Sequence, residues 1–195
     1  MTNDIKTINI RDIIKSIGEE KLSIILSDFN CKVSDDDDVE RFLKTQSIEF
    51  VKKNQSVSYL IVNKKDKTMN VLGYFTLAIK PISIKADIFS NNVNKKIARV
   101  SNLDKETNTY NLSAYLIAQL GRNFNYNEID GKYIIESATK VIKELQEAVG
   151  GMVMFLEVEE KENLIDFYTR NNFIEYDRRI SEKGKSYIQM LKIIK

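Results

Sequence analysis

A strand–helix–strand run between residues 112 and 158 narrows the folds open to this chain more than any other part of its 195 residues. Residues 112–120 are apolar and β-prone. Residues 132–148 then set Ile134, Ile135, Ala138, Val141, Ile142 and Leu145 on one helical stripe. Gly150 and Gly151 predict the end of that helix, because glycine adopts the left-handed backbone of a helix C-terminus without a Cβ clash. Residues 152–158 follow as a short buried strand. A helix placed between two strands has to bury its stripe on a sheet face, so the fold must contain a sheet covered by helices.

The remaining segments extend that frame. Residues 58–62 and 71–78 are β-rich and are joined by a polar stretch, which predicts an antiparallel hairpin whose second strand stops at Pro81. The first 18 residues mix alternation with helical spacing. Residues 19–26 suit a short helix, and residues 27–31 a loop. Val39, Phe42, Leu43, Ile48 and Val51 have the spacing of one amphipathic helix, preceded by Asp35, Asp36, Asp37 and Asp38. Those aspartates suit capping of the helix start; a calcium loop needs alternating oxygen ligands, a glycine and a distal Glu. Residues 86–110 are polar and irregular, with one short helix around 95–100. A short helix at 163–170 and strands at 173–177 and 186–194 complete a mixed α/β (α+β), mostly antiparallel sheet of six to seven strands with helices on both faces, expected as one domain over 1–195.

Composition removes several chemistries. The chain has no His, so neither a Ser-His-Asp or Cys-His relay nor an imidazole metal site exists. Cys31 is the only cysteine, which excludes an intrachain disulfide and a thiolate zinc cluster. With no His to activate it, Cys31 reads as a small buried hydrophobe. No apolar run reaches the roughly 18 residues of a membrane span, and the N-terminus lacks a secretory core, so a cytoplasmic protein without a membrane partner is expected. Charge is uneven along the chain. Residues 1–50 carry seven Lys/Arg against eleven Asp/Glu, whereas residues 51–100 carry ten against two. Such a segment is either a solvated lysine-rich face or a surface for an anionic partner.

The loop at 123–131 is the strongest candidate for chemistry. It feeds the long helix through Gly131, and the first amides of a helix lack intrahelical acceptors. With the helix dipole they form an anion site suited to a pyrophosphate. A glycine at this place also serves as an ordinary helix start.

Four motifs connect these elements to a known family. Val71-Leu72-Gly73-Tyr74-Phe75-Thr76-Leu77 is similar to the hairpin strand of the GNAT superfamily of acetyl-CoA-dependent N-acetyltransferases. Ile117-Ala118-Gln119-Leu120-Gly121-Arg122 looks like its central strand. Phe167-Tyr168-Thr169-Arg170-Asn171-Asn172-Phe173 is similar to its late tyrosine signature. Phe29-Asn30-Cys31, with Val39-Glu40-Arg41-Phe42-Leu43, resembles the opening of a branch that contains toxin-like enzymes acetylating aminoacyl-tRNA and prophage acetyltransferases. The order of the motifs covers nearly the whole chain. The family's pyrophosphate loop, Q/R-x-x-G-x-G/A, is met at Gly131, but Ile129 holds its earlier Gly position and Tyr126 its Gln/Arg position. A side chain at 129 that points outward leaves such a loop usable. Lys161 stands where the family often has Asn.

The resemblance implies an enzyme that transfers acetyl from acetyl-CoA to a primary amine of a small molecule, a protein or an aminoacyl-tRNA. It assigns the cofactor to Leu120, Gly121 and Arg122 on the strand and to Asp130, Gly131, Lys132 and Tyr133 at the helix start. Tyr168 becomes the proton donor to the leaving thiolate, and a homodimer or an antitoxin-like partner is implied as well. The base is sought among Glu157 and Glu159, which share one face of the strand after the long helix; Glu157 is the preferred one. The alternative is a GNAT-like fold that has lost catalysis and binds a partner. A nucleic-acid-binding module without chemistry is a third reading.

Overall fold

The computed structural model describes residues 5–31, 38–65, 68–182 and 184–194. Strand β1 (Lys6–Asn9) leads into helices α1 (Ile10–Ile17), α2 (Glu19–Ser27), α3 (Asp38–Thr45) and α4 (Ser47–Lys52). The hairpin β2 (Val57–Lys65) and β3 (Thr68–Lys85) follows, then α5 (Asn91–Ile97), β4 (Leu103–Asp104) and β5 (Thr109–Arg122). Helix α6 (Gly131–Val149), β6 (Val153–Glu159), α7 (Glu162–Arg170), β7 (Ile174–Ile180) and β8 (Ser186–Ile193) complete the order. Among the described residues the strands form one eight-stranded sheet in the order β1-β2-β3-β5-β6-β8-β7, with β4 pairing β5 beside that path. Strands β5 and β6 run parallel, through Tyr115↔Met154 and Leu116↔Phe155; β1–β2, β2–β3, β4–β5, β6–β8 and β7–β8 are antiparallel.

The mixed, mostly antiparallel sheet is the one the sequence predicts, and the strand–helix–strand run falls where its periodicity puts it. Gly150 and Gly151 end α6 with φ of 79° and 110°. At Gly151 an added Cβ would also stand 2.7 Å from the Tyr115 ring. Four expectations need correction. The sheet has eight strands rather than six or seven, because β1 and the two-residue β4 carry too little apolar pattern to be read. Strand β3 does not stop at Pro81. Proline is exposed there, and Ile82 and Ile84 resume the inward alternation up to Lys85. The single helix expected over 39–51 is two, broken at Gln46 with φ −121° and ψ −28°. Around the break, Thr45 Oγ1 donates to Arg41 O and Ser47 Oγ to Leu43 O, so hydroxyls compete for helix carbonyls. The short helix expected at 95–100 lies earlier, because Val93 and Ile97 are its apolar i,i+4 pair. Of the four aspartates, Asp35, Asp36 and Asp37 lie outside the described residues; Asp38 opens α3 and pairs with Arg41.

The chain divides into two compact units, and β3, β5 and α6 contribute to both. The first takes the chain up to Ala78 with Ile117–Val141. Its core joins Ile10, Leu22, Leu26, Phe29 and Leu43 of the N-terminal segment to Leu60 and Tyr74 of the hairpin. Cys31 is buried in the same cluster, as expected. Phe29 meets Tyr74 edge to face at 5.4 Å. The second unit takes Ile79–Leu116 with Ile142–Lys195, and its core is built from Ile84, Ile97, Tyr110, Val153, Phe155 and Leu191.

Candidate functional site

The strand and loop that precede α6 belong to the first unit. Gly121 lies on β5 where a side chain cannot fit: a Cβ there would stand 2.7 Å from Val39 and 2.8 Å from the Tyr74 ring. Gly73 on β3 is equally tight, with Gly121 O 3.0 Å from an added Cβ. The two motif glycines thus let β3 and β5 meet at backbone distance. Leu120 is half-buried beside them. Arg122 folds back over its own loop, donating to Tyr126 O at 3.3 Å and Asn127 Oδ1 at 2.9 Å, with its guanidinium 5.0 Å from the Phe124 ring centroid.

At the helix start, Asp130 is the cap. Its Oδ1 accepts the Tyr133 amide at 2.8 Å, and its carbonyl accepts the Ile134 amide at 3.4 Å. The amides of Gly131 and Lys132 remain as the first-turn donors without an intrahelical acceptor. The Lys132 side chain is exposed and 3.8 Å from Glu136, and Tyr133 is exposed. Ile129 points inward: it is 5% exposed, and its Cδ1 is 3.1 Å from the Cβ position of Gly73. The outward orientation considered for residue 129 is therefore not adopted. Burying Ile129 gains apolar contact with Gly73, and it leaves backbone rather than side chain at the loop surface.

The second unit holds Tyr168 and the glutamates. Tyr168 is 9% exposed on α7, and its ring meets Phe167 and Phe173 edge to face at 5.0 and 5.8 Å. Burial alone pushes its phenol up to about 12, and no described group makes a hydrogen bond to its hydroxyl. The turn after α7 is closed by Asn172, at φ 64°, and by Phe173 N donating to Tyr168 O at 3.1 Å. Glu157 accepts two bonds of 2.9 Å from Arg179 Nε, one of 2.5 Å from Arg179 Nη2 and one of 2.6 Å from Gln189. Burial works to raise its carboxyl, but the bonds from Arg179 and Gln189 and the guanidinium charge outweigh it and hold the group below the usual carboxylate range. Glu159 is lowered in the same sense by Lys161 first, against burial, and then by Lys185. Both glutamates are ionised acceptors of low basicity.

One residue that sequence reasoning passed over organises the loop. Asn123 is 1% exposed; its amide donates to Val71 O at 2.8 Å, and its Oδ1 accepts the backbone amides of Asn125 at 3.0 Å and Asn30 at 3.3 Å. Asn125 Nδ2 adds a bond to Asp28 O at 3.0 Å, and Phe124 N one to Asn30 O at 2.7 Å. The signal was present as the run Asn123, Asn125, Asn127, whose amides suit turns. Their distant partners were not legible.

No protein-family model matches the chain, and no curated protein does. Solved structures do. AtaT complexed with acetyl-methionyl-tRNAfMet is similar over 95% of this chain and 94% of its own, at 18% identity and a TM-score of 0.66. A tyrosine-to-phenylalanine mutant of KacT is similar over 97% and 95%, at 17% identity and a TM-score of 0.67. AtaTR bound with acetyl-CoA covers all of this chain and 95% of its own, at 16% identity and 0.61. At this identity the likeness concerns the fold, and that fold is the one the sequence motifs imply. Among the described residues no helix is long and apolar enough to cross a membrane.

Proposed function

We propose that this chain is an acetyl-CoA-dependent N-acetyltransferase whose acceptor is a primary amine, with the α-amine of an aminoacyl-tRNA as the preferred class. Tyr168 carries the reading. A buried phenol held neutral by desolvation, at the position of the family's signature tyrosine and with a hydroxyl that no described group bonds, has the properties of a proton donor. Likeness to AtaT, whose solved complex contains acetyl-methionyl-tRNA, supports the acceptor class, and AtaT bound to the antitoxin AtaR makes an antitoxin-like protein a natural partner. A homodimer belongs to the same reading. So does a bacterial, cytoplasmic location, which follows from the resemblance to toxin-like and prophage acetyltransferases.

The residues divide the work. When bound, acetyl-CoA supplies the acetyl group; the N–C bond forms as the thioester C–S bond breaks. The backbones of Leu120, Gly121 and Arg122 are assigned to the donor's extended arm, and an amide near Leu120 to the carbonyl oxygen. Gly131 and Lys132 offer the amides that fit a phosphate, beside the Asp130 cap and Tyr133. Tyr168 gives its proton to the departing sulfur and recovers it from solvent. Glu157 is too well paired to be a strong base. In this reading its carboxylate accepts a hydrogen bond from the acceptor ammonium, and water takes the proton of an α-amine that ordinarily titrates near pH 8.

A specific observation favours a second reading, a partner-binding protein without catalysis: the Asp130 carboxylate sits on the helix end where a phosphate would bind. Calorimetric titration with acetyl-CoA separates the two, with Gly131→Glu as the control. The expected result is saturable binding that the substitution abolishes, and a rise in thermal stability of about 2.7 kcal/mol at 100 times Kd. No binding by the wild-type protein at millimolar acetyl-CoA would sink the transferase and favour the partner-binding reading.

A further inference from the structure

Residues 79–116 of the second unit carry Lys80, Lys85, Lys95, Lys96, Arg99 and Lys105 against Asp87, Asp104 and Glu106. All six cations are exposed, and none has an ion-pair partner among the described residues. Elsewhere in the same unit Lys161, Arg170, Arg178, Arg179 and Lys185 are each paired with a carboxylate. The one nearby acid with fixed partners, Asp104, is turned to the amides of Glu106 and Thr107.

The fold gathers these cations instead of scattering them. Ile82 and Ile84 enter the core, so the alternation of β3 leaves Ser83 and Lys85 outside. Val93 and Ile97 turn α5 inward and leave Lys95 and Lys96 on its outer side. Asn94 Nδ2 donates to Ala86 O at 2.9 Å, which ties the helix bearing Lys95 and Lys96 to the strand end bearing Lys85. Ser101 Oγ donates to Asn111 O at 2.9 Å, and Ser83 Oγ to Asn111 Oδ1 at 2.5 Å, closing the connection after Arg99 onto the same strands.

We propose that this surface, centred on Lys85, Lys95, Lys96 and Arg99, binds the phosphate backbone of an RNA and anchors the acceptor for acetyl transfer. The choice of RNA rests on the transferase reading; the unpaired cations do not. Five of the six cations are lysines, and lysine is depleted from packed protein interfaces, whereas a polyphosphate rewards each one by releasing condensed counterions. A membrane surface fits poorly, because the apolar side of α5 is already used in the core and has nothing to insert.

The test is fluorescence anisotropy with a labelled, deacylated tRNA transcript between 50 and 200 mM salt, without acetyl-CoA. The triple variant Lys95→Gln, Lys96→Gln, Arg99→Gln is compared with Lys21→Gln, Lys53→Gln, Lys143→Gln, which removes equal charge from exposed positions elsewhere that likewise have no ion-pair partner among the described residues. The first triple is expected to weaken binding by about tenfold or more and to flatten the salt dependence by roughly two to three phosphate contacts. The second is expected to cost less than about threefold. Equal weakening by both triples, absence of tRNA binding, or displacement by poly-glutamate in preference to tRNA would each overturn the proposal. A thermal shift with acetyl-CoA on the same proteins keeps the readings apart. Failure of that shift with the tRNA result intact would sink the transferase and leave the RNA surface standing, and the converse would sink only the surface.

Discussion

Tyr168 and Asp130 are the residues at which the proposed chemistry is most exposed to measurement. With its phenol pushed up to about 12, Tyr168 keeps its proton below that pH and loses it only above. Turnover should therefore rise with pH as the acceptor amine deprotonates, and show no falling limb below about pH 10. Replacing it, Tyr168→Phe, removes the donor but no hydrogen bond to a described group, so turnover is expected to drop by about a hundredfold or more while the melting temperature holds. Loss of stability instead would make the tyrosine a packing residue. Asp130→Asn tests the helix end. Asparagine caps as well as aspartate does, and the change removes a negative charge beside the amides of Gly131 and Lys132. Acetyl-CoA affinity is expected to improve roughly two- to fivefold by titration; an unchanged Kd would place the phosphates elsewhere. Both residues were legible as positions in a motif. Their states were not, since a phenol's desolvation and a carboxylate's choice of partner are set by what surrounds them.

Among the elements, the loop before α6 depends on a clamp rather than on its own backbone preferences. Asn123→Ala would leave the Val71 carbonyl and the amides of Asn30 and Asn125 without their partner, at a cost of about 2–4 kcal/mol in denaturant unfolding. Asn125→Ala, at an exposed site, is expected to cost less than about 1 kcal/mol. Equal effects would mean that the loop is held by something other than the Asn123 amide. Helix α6 was read correctly because its apolar residues repeat every 3.6 positions, and the hairpin because its two strands are continuous β-prone runs bounded by a polar stretch. The failures at Pro81 and Gln46 have a common origin. A proline tolerated on an exposed strand position, and a helix interrupted by Thr45 and Ser47 hydroxyls, look locally like other things.

The absence of histidine has a consequence for the molecule as a whole: between about pH 6 and 8 few of its groups change charge, so unfolding free energy should be nearly flat there. Below that window Glu40, Glu157 and Glu159 act together, since each is held below the usual carboxylate range in the folded state. A depressed folded pKa gives stability that is present above the unfolded value and is lost as pH falls through the folded one. The denaturation midpoint should thus decline steadily below about pH 4.5, and Arg179→Gln should lower it at pH 7 while narrowing the gap between pH 7 and pH 3. A gap left unchanged would mean that Arg179 does not set the Glu157 ionisation. What the sequence determined by itself was the set of elements, their order and the motif glycines, because periodicity, helix stops and close backbone approach are written in neighbouring residues. Only the tertiary structure decided that Ile129 turns inward, that Arg179 captures Glu157, that Asn123 joins segments nearly a hundred residues apart and that six cations of residues 79–116 have no ion-pair partner among the described residues. Each of those depends on which strands become neighbours, and that is chosen by the collapse of two cores rather than by any local pattern.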